Sequence, residues 1–159
     1  MNKAATAFLL PITLLTFIGC GSSDPLTSFK RKLDSATTAA QSAALVQVDG
    51  QWQKVRFKIV DLKYDVKHTD SLASPYTAKV AFKASEGLTT LRNEKSAARS
   101  DPDPKMPDTT LQDGYYATYA FQDGAWKLTD FTFDLLLGGN PKTPSASQPE
   151  KQLLQSYFQ

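Results

Sequence analysis

Two residues of this chain are unique of their kind and chemically capable: Cys20, the only cysteine, and His68, the only histidine. A lone thiol excludes an intramolecular disulfide and any multi-cysteine zinc cluster. A lone imidazole excludes HExxH sites and every two-histidine metal arrangement. His68 stands between Asp65 and Asp70, and carboxylates without a second imidazole or a thiolate suit only hard cations. In the Asp- and Ser-rich run 68–75 it reads as a solvated turn histidine. Asp101, Asp103 and Asp108 have the superficial look of a calcium loop. They lack the glycine and closing glutamate of an EF-hand, and Lys105 interrupts them. There is no GxSxG elbow and no phosphate-cradling glycine loop. Paired-carboxylate chemistry stays open in principle on Asp61, Asp65 and Asp130, since a glycosidase needs only two acids. No catalytic set, no metal site and no cofactor is expected from these residues.

The aromatic residues are the remaining chemistry. Tyr115, Tyr116, Tyr119, Trp52 and Trp126 can stack on a sugar or a hydrophobic ligand, or form the core of a small domain. As a set they read as core, with Tyr115 and Tyr116 the exceptions. Strict alternation puts Asp130 on the face of Trp126 and Leu128, opposite Ala117. Tyr115, Tyr116 and Asp130 are therefore the candidate ligand contacts, with an aspartate at a wet sheet rim as the plainer account of Asp130.

Cys20 acquires meaning from what precedes it. Lys3 and the start amine form a short positive region, and residues 4–18 form an apolar run without charge. Such a run is shorter than the ~20 apolar residues of a spanning helix and fits a signal peptide; Pro11 weakens it further as a helix. It ends in Ile18-Gly19-Cys20, followed by Gly21-Ser22-Ser23-Asp24. That ending resembles the lipobox of bacterial lipoproteins, with Phe17 where leucine is usual. The resemblance implies a diacylglycerol on the Cys20 thiol, cleavage before Cys20 and a membrane anchor in the cell envelope. Two or three acyl chains at ~0.8 kcal/mol per buried methylene hold a protein stably on a bilayer. The implied division is a signal peptide over 1–19 and a lipidated cysteine with its tether over 20–24.

The elements that must position these residues follow from periodicity. Asp24 is an N-cap with Pro25 at the first helical position. Leu26, Phe29, Leu33, Ala36, Ala40 and Ala44 then recur at helical spacing, predicting an amphipathic helix over 26–44. From Leu45 the period becomes two, with an Asp49-Gly50 hairpin turn. Val55, Phe57 and Ile59 alternate on one parity and Leu62, Tyr64 and Val66 on the other, which requires a bulge near Val60-Asp61. Tyr76, Ala78, Val80 and Phe82 mark another strand, and one helical turn is expected around Leu88 and Leu91. The proline-rich run 100–114 reads as a loop. A final hairpin about Asp123-Gly124 pairs Phe121 with Trp126 and Tyr119 with Leu128, and brings Tyr116 to Phe131 on the other face. Residues 138–149 have linker composition. Leu153, Leu154, Tyr157 and Phe158 are spaced for a short helix that can dock back.

The fold class expected is α+β: an N-terminal helix packed on a curved antiparallel sheet, with a β-sandwich as the alternative. The order of helix, strands and closing FQDGAWKL hairpin resembles the cystatin-like and NTF2-like folds. One domain over 25–137 and a flexible tail over 138–159 are expected. With 18 Lys and Arg against 16 Asp and Glu, the chain lacks the basic excess of a nucleic-acid binder. The functional expectation is a non-catalytic binding or accessory module in the envelope, partnered by the lipid membrane and by an envelope protein or small ligand. The alternative is an NTF2-like cone acting as a small-ligand carrier or enzyme.

Overall fold

The computed structural model describes residues 24–107, 112–134 and 141–159. Cys20, the apolar run before it, Asp108 and Gly138–Asn140 of the linker stretch lie outside the described residues. The elements are α1 (Pro25–Gln41), β1 (Ala44–Val48), β2 (Gln51–His68), β3 (Tyr76–Leu88), α2 (Lys95–Ser100), β4 (Asp113–Gln122), β5 (Ala125–Asp134) and α3 (Pro149–Tyr157). The strands form one antiparallel sheet in the order β1-β2-β3-β4-β5, curved into a half-barrel against which the helix packs. The α+β class stands, and the sandwich alternative is set aside because a single sheet carries every strand among the described residues.

Local chemistry accounts for the elements. The Asp24 carboxylate accepts from Thr27 N at 3.0 Å, capping α1. Phe29, Leu33, Ala36 and Ala40 are its buried stripe, while Leu26 is half exposed. The helix stops at Gln41, three residues short of the expected Ala44, because Ala44 already pairs with Val55 in β1. Both Asp-Gly turns put two successive residues at positive φ: Asp49 at 47° with Gly50 at 82°, and Asp123 at 52° with Gly124 at 77°. That is the signature of a type I′ hairpin. The parity slip in β2 is a bulge between Val60 and Lys63, where Asp61 takes φ 52°, a conformation aspartate tolerates better than most side chains.

A second bulge corrects the expected register of the last hairpin. Phe121 pairs with Trp126 and Tyr119 with Leu128, but Thr118 pairs with Asp130 and Ala117 with Phe131. Thr129 is the extra residue, its hydroxyl donating to Thr118 O at 3.0 Å. Phe131 therefore faces the core, and Tyr116 meets Thr132 instead. The helical turn expected around Leu88 and Leu91 is also displaced. Leu88 closes β3, and the short helix comes later, at α2.

The face of the sheet against α1, here the inner face, is filled. Phe57, Val80, Phe82, Tyr115, Tyr119, Phe131 and Phe133 are all buried there with Phe29 and Leu33. The folded unit does not end at 137. Leu154 and Phe158 are completely buried in the same core. Phe158 stacks on Phe82 at 4.8 Å between centroids, and its carbonyl accepts from the Tyr119 hydroxyl at 2.8 Å. Residues 149–158 are thus an internal packing element, since an aromatic ring stacked on the sheet cannot belong to a free tail.

On the opposite, outer face, residues 95–107 cover one end. Ala98 and Pro104 are buried, and a Cβ on Gly87 would stand 2.7 Å from Lys105 O. The close approach of loop to strand requires glycine there.

Candidate functional site

The residues singled out from the sequence divide between the two faces. Tyr115 is on the inner face, stacked on Phe82 at 5.1 Å and buried. Tyr116 is on the outer face, 46% exposed. Asp130 is also on the outer face, because the Thr129 bulge moves it from the Trp126 side to a position opposite Thr118. Tyr116 and Asp130 are diagonal neighbours there, through the pairs Tyr116–Thr132 and Thr118–Asp130. Tyr115 cannot join them. Cys20 lies outside the described residues.

The outer face around Tyr116 is a shallow groove of about 510 Å³, lined by Lys63, Asp65, Lys79, Ala81, Tyr116 and Thr118. Cross-strand pairing builds it. Lys63, Ala81, Tyr116 and Thr132 form one row, and Asp65, Lys79, Thr118 and Asp130 the next. Charges of both signs therefore surround one exposed aromatic ring. Along β5 a second hollow of about 460 Å³ runs past Trp126, Leu128, Asp130 and Phe131 to Gln155 and Gln159. Asp130 sits between the two.

The other candidates serve the fold. Trp126 donates from Nε1 to Pro25 O at 3.0 Å and packs on Phe29. Tyr119 is fully buried, and burial raises its phenol above the ordinary range. Trp52 lies under the Lys95 ammonium at 4.6 Å. His68 is exposed and edge-on to Tyr76. Asp61 pairs with Lys83 at 3.3 Å, an exposed contact of little energetic weight. Asp101 accepts two bonds from Arg92 at 2.9 and 3.0 Å. That guanidinium holds its carboxyl below the usual carboxylate range. Among the described residues no group of three or more His, Cys, Asp or Glu side chains could hold a metal ion.

The cluster that sequence reasoning missed is buried beneath α3. Lys151, only 5% exposed, reaches Asp113 at 2.6 Å and the Tyr115 hydroxyl at 3.1 Å. Its ammonium also lies over the Phe133 ring at 5.0 Å. Burial alone would lower the Lys151 pKa, but Tyr115, Asp113 and the charge of Glu86 outweigh it and raise the value. Burial pushes the Tyr115 phenol up to about 12. Glu86 occupies the inner face opposite Phe57, and its Oε2 is buried without a hydrogen-bond partner. An acid four residues beyond Phe82, on the same parity as the apolar residues of that predicted strand, was the available signal. Its lysine partner lay in a segment read as tail.

Glu86 carries a pH-dependent expectation. Its pKa is raised by burial, with Lys151 opposing. A carboxyl with a higher pKa folded than unfolded takes up protons on folding. Its cost is complete above the folded pKa and gone below the unfolded value of ~4.3. Lys151 keeps Asp113 as a partner, so Glu86→Gln raises the urea midpoint at neutral and alkaline pH. The advantage shrinks on acidification. Urea titrations across that range check this, and an advantage that grows with acid contradicts it.

No family model, no curated protein and no solved structure matches the chain.

Proposed function

We propose that this chain is a non-catalytic binding module of the bacterial cell envelope, held to the membrane by diacylglycerol on Cys20 and engaging an envelope protein through its outer sheet face. The observation that carries the reading is Tyr116, nearly half exposed on the part of the outer face that residues 95–107 leave open, ringed by Lys63, Asp65, Lys79 and Asp130. Tyrosine supplies large contact area for little conformational entropy, and mixed charges around it give register rather than non-specific attraction. The filled inner face supports a surface-acting module over a cone with an internal ligand.

The cone reading keeps one specific observation, the inner-face acid Glu86. Its surroundings favour a structural role: Lys151 lies beside it and aromatic rings fill the interior.

The test places a photoreactive amino acid at Tyr116, and separately at Asp49 in the β1–β2 turn, in intact envelopes. The expected result is a discrete protein adduct from position 116 that is absent from position 49 and competed away by excess unmodified protein. Equal labelling at both positions, or none at 116, overturns the outer-face reading.

A further inference from the structure

The end of the domain from which the tether leaves also carries an apolar side chain with nothing to pack on. α1 begins at Pro25, and the Pro25 carbonyl is tied to Trp126 at 3.0 Å. From Trp126 an unbroken run of ring contacts crosses the sheet end: Phe121 at 5.3 Å, Tyr76 at 6.1 Å from Phe121, and His68 at 5.1 Å from Tyr76. His68 and Tyr76 are the two strand ends that hold the 69–75 loop. The loop is cinched by Thr69 N donating to Pro75 O at 2.8 Å. At its tip Leu72 is completely exposed. Leu26, in the first turn of α1, is half exposed at the same end.

We infer that this end lies against the bilayer, with Leu72 seated among the lipid headgroups and the β1–β2 turn directed away from the membrane. The inference deepens the anchoring reading above and rests on it. Its carrier is reach. From Cys20 to Pro25 is five residues, which span at most roughly 18 Å fully extended. The 17 residues of α1 alone carry the chain about 25 Å away from that end at ~1.5 Å per residue. A tether shorter than α1 keeps its own end of the domain at the surface.

The occupant is a lipid surface without a requirement for anionic headgroups. Three lysines at this end have carboxylate partners: Lys30 with Asp34 at 2.7 Å, Lys67 with Asp65 at 3.5 Å and Lys127 with Asp123 at 2.6 Å. Lys32 donates to the main-chain oxygen of Gln159. With Arg31 and Lys32 set against Asp24 and Asp70, cationic and acidic side chains here are equal in number, so no net basic patch favours acidic lipids. One leucine does not hold a protein on a bilayer; it orients one already tethered.

The experiment uses the full chain produced with its leader, extracted from envelopes and placed in phosphatidylcholine vesicles with or without phosphatidylglycerol. Because lipid consumes the Cys20 thiol, Leu72→Cys and Gln47→Cys each supply a single free thiol for an environment-sensitive dye. Spin-labelled lipid is expected to quench the dye at 72 several-fold more than at 47, with a blue shift, in both kinds of vesicle. Equal quenching at the two positions, or stronger quenching at 47, overturns the orientation. Quenching at 72 only with phosphatidylglycerol overturns the charge-independent contact. The mass of the N-terminal peptide from the same preparation separates the two readings. Without diacylglycerol on Cys20 the anchoring reading falls and the orientation with it; with it, a failed quenching result falls on the orientation alone.

Discussion

Phe158→Ala lowers the unfolding free energy by about 3–5 kcal/mol, the range for removing a buried phenylalanine. The ring is completely buried, stacked on Phe82 at 4.8 Å and tilted against Phe131 at 6.0 Å. Its loss leaves a cavity bounded by rings that β3 and β5 hold in place, so little collapse relieves the cost. Aromatic pairs of this kind add roughly 0.5–1.5 kcal/mol beyond buried area. The substitution leaves the Tyr119 hydroxyl bond to the main-chain oxygen of residue 158 chemically possible, which separates packing from hydrogen bonding. Urea unfolding followed by tryptophan fluorescence measures the effect, since Trp126 is part of the same core. A midpoint unchanged within error would mean that residues 149–158 do not pack as described.

Lys151→Met costs about 3–5 kcal/mol at neutral pH, as expected when one partner of a buried pair is removed and the other charge stays behind. Methionine nearly preserves the volume over the Phe133 ring, so the loss is electrostatic. Asp113 and Glu86 are then left facing a low-dielectric interior without their cation. Replacing the acids as well, with Asp113→Leu and Glu86→Met, recovers most of the stability, because well-packed apolar replacements of a whole buried network are well tolerated. A double-mutant cycle in urea reads the coupling. Additive effects for Lys151 and Asp113 would mean that their 2.6 Å contact carries no coupling energy. The cost should also fall on acidification, as Glu86, whose pKa burial has raised, becomes neutral.

Much of this architecture was legible because local chemistry and global packing agree. The stripe Phe29, Leu33, Ala36 and Ala40 and both Asp-Gly turns needed no tertiary information. The parity slip at Val60 and Asp61 announced its bulge because a buried face cannot change sides without an extra residue. The Thr129 bulge left the same mark, since the apolar residues pass from Trp126 and Leu128 to Phe131 and Phe133 on the other parity. Strict alternation carried through Asp130 overlooks that slip and places Asp130 on the wrong face. Lys151 escaped for a different reason. A lysine in a short amphipathic segment reads as solvated, and only the fold brings Asp113, Tyr115 and Glu86 to it across 36 and more residues of chain. Of the three candidate contacts, Tyr115 and Tyr116 were both read as exceptions to the core, whereas a strand sends neighbours to opposite faces and only Tyr116 is exposed.

α3 lies against both α1 and β1 inside the curved sheet, so a late segment of the chain fills space between early ones. Without it, residues 24–107 and 112–134 present a sheet whose interior is missing Leu154 and Phe158. A frameshift or stop before residue 154 removes that part of the interior, whatever it spares upstream.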